Sequence, residues 1–220
     1  MASPALTLPR PRDTGLLYDP EVACRHLAAA DPKLGELIDR AGPFTMRPRA
    51  AQSLFAALAR SIVYQQLSGR AAETILGRMI DTIGRRPFPT PRDLLEISAE
   101  RLRQAGLSAA KTASLKDLAT HTLQGSIPSL ARIRTMEDEE IVESLTAVRG
   151  IGRWTVEMLL IFRLGRPDVL PTSDLGVRKG FGRWFRRGRL PEPATMVRRA
   201  ERWRPYRSVA SWYMWRVLEL

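Results

Sequence analysis

Between Leu145 and Gly180 the chain reads Leu-Thr-Ala-Val-Arg-Gly-Ile-Gly-Arg-Trp, then apolar residues at helical spacing, then a proline-marked loop and one carboxylate, Asp174, followed by cations. Gly150 and Gly152 predict a tight turn between a helix that ends just before them and another that starts at about Arg153. Glycine tolerates positive φ and lets bare backbone approach a ligand. The amides of such a turn lie at a helix start, where the dipole favours an anion. The turn can therefore grip a phosphate without reading a base. The same residues can equally serve packing alone, with Ile151 as the plug between the two helices.

The charge favours the first use. The 220 residues carry 35 Lys and Arg against 23 Asp and Glu, a net +12, and such an excess attracts a polyanion, most simply nucleic acid. The one cysteine, Cys24, excludes an internal disulfide, cysteine-ligated zinc and an iron–sulfur cluster, and is expected to fill core space on an early helix. His26 and His121 lack ligand spacing. The first fifteen residues hold no apolar run of signal-peptide length, and no run is long enough to span a bilayer. A soluble cytoplasmic protein is expected, associated with the nucleoid if bacterial.

Helical spacing dominates after a Pro-rich, irregular segment at 1–19. An Ala-rich helix at Glu21–Ala30 is followed by Asp31-Pro32, an N-cap with proline at the first helical position, and by a second helix to about Gly42. Arg49–Gln66 predicts a helix with Ala50, Leu54, Ala57, Leu58, Ser61 and Ile62 as its apolar stripe. Ser68 caps the next, whose buried face should be Ile75, Met79, Ile80 and Ile83 before Gly84 ends it. Thr90-Pro91 with Asp93, Ser98 with Glu100, and Ser108 begin three more, the last running to about Leu123. Thr135 with Glu137 and Asp138 opens the helix that ends at the Gly150 turn. Sustained alternation is absent, so the expectation is all-α, with roughly ten short helices.

On its residues alone, Asp174 reads as an N-cap or as a catalytic carboxylate, and Asp168 is its nearby competitor. Trp154, Met158 and Ile161 share a helix face whose ordinary use is core. Trp212 and Tyr213 read as core and rim respectively. Arg178, Lys179, Arg183, Arg186, Arg187 and Arg189 occur without an intervening acid. Beside a phosphate clamp they suit a DNA backbone.

The residues Leu145, Gly150-Ile151-Gly152-Arg153-Trp154-Thr155 and Leu170-Pro171-x-x-Asp174-Leu175-Gly176-Val177-Arg178 together resemble the helix–hairpin–helix superfamily of DNA glycosylases. They are most similar to the alkylation-damage branch, the DNA-3-methyladenine glycosylase II enzymes. The similarity extends to Tyr64-Gln65-Gln66-Leu67-Ser68, Gly106-Leu107-Ser108-x-x-Lys111, Trp203-Arg204-Pro205-Tyr206-Arg207-Ser208 and Trp215, most of the chain after about residue 50. The resemblance implies that Asp174 is catalytic and that Trp154, Trp215, Met158 and Tyr64 line a base pocket, Met158 standing where some members carry an aromatic. It implies DNA contact through Gly150, Gly152, Thr155, Arg178, Lys179 and the 65–68 turn, where Gln65, Gln66 or Leu67 would be the wedge. No cofactor is implied as required, but a structural Na+ or K+ on the carbonyls of Thr146, Val148 and Ile151 is. Some relatives place a lysine nucleophile at the position of Trp154, so a lyase step is not expected here.

The resemblance further implies a two-lobed helical fold with an active cleft between lobes. One lobe would comprise 20–55 with 171–220, and a central lobe 56–170 would hold the hairpin at 141–165. The expected activity is a monofunctional base excision repair glycosylase that flips out and hydrolyses alkylated bases of the 3-methyladenine type. Its expected partner is damaged double-stranded DNA, bound by a monomer without membrane contact. Two alternatives stay open: another damaged-base specificity, and a non-catalytic hairpin that binds DNA structure.

Overall fold

The computed structural model describes residues 15–48, 53–84 and 87–220. Among them the regular elements are helices, and no strand is present. The chain divides into two compact units, 1–50 with 160–220, and 51–159. The sequence placed the second boundary at 170. The division falls instead inside one helix, Arg153–Phe162, which has no glycine or proline in it to mark a break.

In the 51–159 unit, α3 (Leu54–Tyr64) buries nearly its whole first two turns, and its N-cap Ser53 accepts the Ala56 amide at 3.0 Å. The predicted start of that helix, including Ala50, lies outside the described residues. α4 (Gly69–Ile83) is capped by Ser68 and closed by Gly84 at φ 74°. Its buried face is Ala72, Leu76 and Met79 rather than the expected Ile75, Met79, Ile80 and Ile83, whose isoleucines are only half-buried. Adjacent apolar pairs such as Ile75-Leu76 and Met79-Ile80 support two stripes about 100° apart, and periodicity does not choose between them. α5 (Pro91–Glu96) and α6 (Ala99–Gln104) start on the Thr90–Asp93 capping box and on Ser98. α7 (Ala109–Leu123) packs against α3, α5 and α6, burying Leu115, Leu118 and Ala119. After the short α8 (Leu130–Ile133), α9 (Asp138–Thr146) is opened by a Glu137–Glu140 box. Thr135 does not cap it, because its hydroxyl donates back to the Arg132 carbonyl.

In the other unit, α1 (Pro20–Ala30) and α2 (Pro32–Ala41) pair, as the Asp31-Pro32 break requires. α11 (Leu175–Phe185) lies against α13 (Arg207–Arg216), and α12 (Pro193–Ala200) joins them through a 3-10 turn at Glu201–Trp203. Tyr213 is fully buried while Trp212 is half-buried, the reverse of their expected places. The Tyr213 hydroxyl makes this tolerable by donating to the Gly42 carbonyl at 3.1 Å. Cys24 is half-buried, with its sulfur 3.5 Å from that same hydroxyl. Among the described residues no helix is long and apolar enough to cross a membrane.

Asp31 does more than end a helix. Its carboxylate, 1% exposed, takes Arg199 Nε at 2.8 Å, Arg199 Nη2 at 2.7 Å and the Trp203 indole N–H at 2.9 Å. Burial alone would raise its pKa, but the Arg199 and Trp203 bonds outweigh burial and hold it below the usual carboxylate range. A carboxyl depressed in the folded state adds stability above its unfolded pKa and loses it as pH falls through the folded value. Asp31→Asn is therefore expected to cost about 3 kcal/mol, because it strands Arg199. Urea titrations at pH 7 should show that gap, and the gap should close as the pH drops below about 4.

Candidate active site

Asp174 ends a loop that is fixed almost residue by residue. The Ser208 amide bonds the Pro167 carbonyl at 2.9 Å, and the Ser208 hydroxyl accepts the Val169 amide at 2.9 Å. The Thr172 amide then bonds the Leu170 carbonyl, and the Asp174 amide the Pro171 carbonyl. Asp168, the competing acid, is consumed in this bracing. Arg207 grips it through Nε at 2.7 Å and Nη2 at 2.9 Å, and Arg204 adds Nη1 at 2.6 Å. The Arg204–Ser208 run matched in the sequence thus holds the loop.

Asp174 caps α11, its Oδ1 accepting the Val177 amide at 2.8 Å. The same oxygen accepts the Trp215 indole N–H at 2.8 Å. The helix cap and the candidate carboxylate are one residue. The group is 9% exposed, so donors aimed at it act in a low local dielectric and hold the carboxyl group in one orientation. Trp215 comes from the last turn of α13 and packs on Phe162 with ring centroids 5.4 Å apart.

Sequence reasoning assigned no role to Gly176. A Cβ there would lie 2.7 Å from Trp215 Cδ1, 2.8 Å from its Nε1 and 3.1 Å from Asp174 Oδ1. The glycine is the space through which the indole reaches the carboxylate. Only its place two residues after Asp174 could have signalled this. Of the cations beyond, Arg178 is half-buried and donates to the Pro191 carbonyl at 3.0 Å, whereas Lys179 is exposed. Arg178 is thus turned toward its own fold.

In the 51–159 unit, the hairpin joins α9 to α10 (Arg153–Phe162), and its two glycines differ. Gly150 adopts φ 77°, and a Cβ on it would meet Ser114 Oγ at 2.5 Å, so the fold itself demands glycine. Gly152 has no positive φ and nothing within 4 Å of a Cβ. Internal packing does not require glycine there, but close approach of an outside group would. The Gly152 carbonyl is the first helical acceptor, taking the Thr155 and Val156 amides, so the turn amides before them lie at the N-terminus of α10. Thr155 is buried and its amide is used in that bond. Ile151 is buried, as a plug should be. Trp154, at the first turn of α10, is 44% exposed, and Tyr64, at the end of α3, is also exposed, while Met158 is half-buried.

The 65–68 turn is tied to this hairpin. Gln65 Nε2 donates to the Gly150 carbonyl at 2.8 Å, and Lys111 Nζ donates to the carbonyls of Val63 and Gln65 at 2.7 Å each. Burial pushes the Lys111 ammonium below its usual pKa. Its role at the C-terminal end of α3 was not foreseen, although the Gly106-Leu107-Ser108-x-x-Lys111 match had marked the residue. Gln66 stands exposed at φ 56°, a left-handed conformation costly for a residue with a side chain, and Leu67 is exposed beside it. Ser68 is the α4 cap, with its Oγ accepting the Ala71 amide.

Gly176→Ala is expected to displace the Trp215 indole from Asp174, lowering stability by about 1–3 kcal/mol through overpacking beside α11. A red shift or intensity change in tryptophan fluorescence in the native state, together with a lower urea midpoint, would register it.

A sequence model described as "HhH-GPD superfamily base excision DNA repair protein" matches residues 59–205. DNA-3-methyladenine glycosylase 1 of Schizosaccharomyces pombe is 36% identical over 196 residues, covering 89% of this chain and 86% of that protein. The alkylbase DNA glycosidase-like protein mag2 of the same yeast is 32% identical over 197 residues, covering 89% and 92%. Among solved structures, the Schizosaccharomyces pombe 3-methyladenine DNA glycosylase in complex with abasic DNA aligns with a TM-score of 0.80 at 35% identity, over 90% of this chain and 97% of that one. The chain belongs to the HhH-GPD superfamily of base excision DNA repair proteins.

Proposed function

We propose that this protein is a monofunctional DNA glycosylase that flips out alkylated bases of the 3-methyladenine type and hydrolyses their N-glycosidic bond, leaving an abasic site. The observation that carries the reading is the buried Asp174 carboxylate, held on one oxygen by the Trp215 indole and the Val177 amide. As the bond from the base to the sugar C1′ breaks, positive charge grows on the sugar. A fixed carboxylate stabilises that charge more than water does, because it need not reorient. Water then adds to C1′ and gives up a proton to bulk solvent. A base made cationic by alkylation leaves neutral, so the bond breaks without a second acid to protonate the leaving group.

The remaining residues suit the tasks around that step. Trp154, Tyr64 and Trp215 each carry a flat apolar face of the kind an unstacked base needs, and an indole face attracts a cationic purine. Trp154 also occupies the position where a Schiff-base lysine would stand, so the product remains an abasic site with the strand uncut. Gln65 is tethered to the hairpin, which leaves Gln66 and Leu67 as the wedge that fills the gap in the duplex. Gly150 and Gly152 present backbone to a phosphate, and Lys179 adds charge. The DNA-bound yeast relative supports a DNA substrate.

The carbonyls of Thr146, Val148 and Ile151 fit a monovalent cation. They are neutral oxygen donors at two helix ends, and the Val148 oxygen, which accepts the Ile151 amide at 3.1 Å, keeps a second lone pair. Na+ or K+ bound there would add positive charge beside the phosphate. The hydrolysis requires no organic cofactor.

Incubated with methylated duplex DNA, the wild-type protein should release 3-methyladenine, and Asp174→Asn should be slower by at least about a hundredfold while still binding DNA. Equal rates, or no release by wild type, would leave a DNA-structure binder as the better reading. Borohydride should trap no covalent adduct, and a trapped complex would sink the monofunctional assignment.

Gly152→Ala separates the clamp from the fold. With no internal atom near its new Cβ, the variant should melt like wild type yet bind duplex of any sequence several-fold more weakly. Gly150→Ala should lower the melting temperature as well.

A further inference from the structure

The far end of α11, roughly 16 Å along the helix from Asp174, carries a basic feature that belongs neither to the hairpin nor to the carboxylate. A concavity of about 650 Å³ is lined there by Phe185, Arg186, Arg187, Arg189, Thr195 and Arg199, among others. Arg199 is committed, paired with Asp31 and lying 3.9 Å over the Phe185 ring. Arg186, Arg187 and Arg189 make no side-chain hydrogen bond or ion pair among the described residues. Three uncompensated guanidinium groups within four residues repel one another, and the fold gains nothing visible from them.

The loop that bears them is nevertheless fixed. The amides of Arg186 and Gly188 both bond the Gly182 carbonyl, at 3.0 and 2.9 Å, and the Arg189 amide bonds the Arg186 carbonyl at 3.1 Å. A Cβ on Gly182 would lie 2.6 Å from the Arg189 carbonyl oxygen, so the loop is seated directly on the helix. Arg187 sits at φ 53°, in the left-handed region that glycine adopts freely and arginine does not. Glycine would relieve that conformation, so the arginine side chain is placed there at a conformational cost.

We propose that this loop is a second phosphate-binding site, with Arg186, Arg187 and Arg189 as ligands for the duplex DNA backbone flanking the damaged nucleotide. The proposal rests on the DNA reading above. Phe185, the ring in the lining, already carries Arg199 on its face, so the site recognises charge rather than a stacked base. At roughly 16 Å along the helix from Asp174, the arginines lie beyond reach of the target nucleotide's own phosphates, so a duplex phosphate they meet belongs to flanking backbone.

The test combines Arg186→Gln, Arg187→Gln and Arg189→Gln in the full chain. On a duplex of about 30 base pairs, affinity at low salt should fall by about tenfold, and the slope of log affinity against log salt should shrink by about 2 to 3, near 0.9 per lost contact. The loss should fall on half-saturating DNA concentration rather than on the rate at saturation. It should vanish on a duplex of about 8 base pairs, and the matching triple lysine variant should recover most of the affinity. Arg187→Gly alone should melt higher than wild type and bind more weakly. An unchanged salt slope, or an equal loss on both duplex lengths, would overturn the proposal. So would inorganic pyrophosphate raising the melting temperature through these arginines while duplex binding stays unaffected. If wild type binds with the arginine-dependent slope but releases no base, the glycosylase reading fails and this site stands.

Discussion

The hydrogen bond from the Trp215 indole to Asp174 Oδ1 is the interaction on which the candidate chemistry depends. It exists because three separate stretches are brought to one point. Asp168, locked by Arg204 and Arg207, anchors the start of the loop. Ser208 bonds the loop's backbone to the start of α13, whose far turn supplies Trp215. Gly176 leaves the gap between them empty of a side chain. A carboxylate so placed surrenders solvent and gains two oriented donors, which sets where its charge can act.

In the 51–159 unit the hairpin backbone is held rigid while part of it stays uncovered. Positive φ at Gly150 and contact with Ser114 fix the turn, whereas the open space at Gly152 keeps the approach bare. Gln65 and Lys111 extend that rigidity to the neighbouring turn by satisfying the Gly150, Val63 and Gln65 carbonyls. The strain at Gln66, about 1–2 kcal/mol for a left-handed residue, is tolerated because its neighbours on both sides are tied down. Arg187 repeats the device on the other unit, with Gly182 as its seat.

Local signals were legible wherever one or two residues settle the outcome. Ser68, Thr90, Ser98, Ser108 and Asp174 cap the helices that their spacing announced, and Gly84 ends one, because a cap needs only a side-chain oxygen and the next turn of backbone. Choices between near-equal neighbours were not legible. Ile75 and Leu76 compete for the same buried face of α4, and Trp212 and Tyr213 for the interior. Their periodicity is the same, and only the shape of the opposing surface decides.

The sequence by itself determined the helical class, the hairpin glycines, the carboxylate at 174 and the basic charge, since each follows from a backbone or electrostatic preference carried by the residues themselves. Tertiary structure alone decided that Asp168 is gripped by Arg204 and Arg207 while Asp174 meets the Trp215 indole, that Arg178 faces its own fold while Arg186, Arg187 and Arg189 do not, and that Gly152 is open where Gly150 is filled. Those outcomes depend on atoms tens of residues away, and side-chain type does not encode distance.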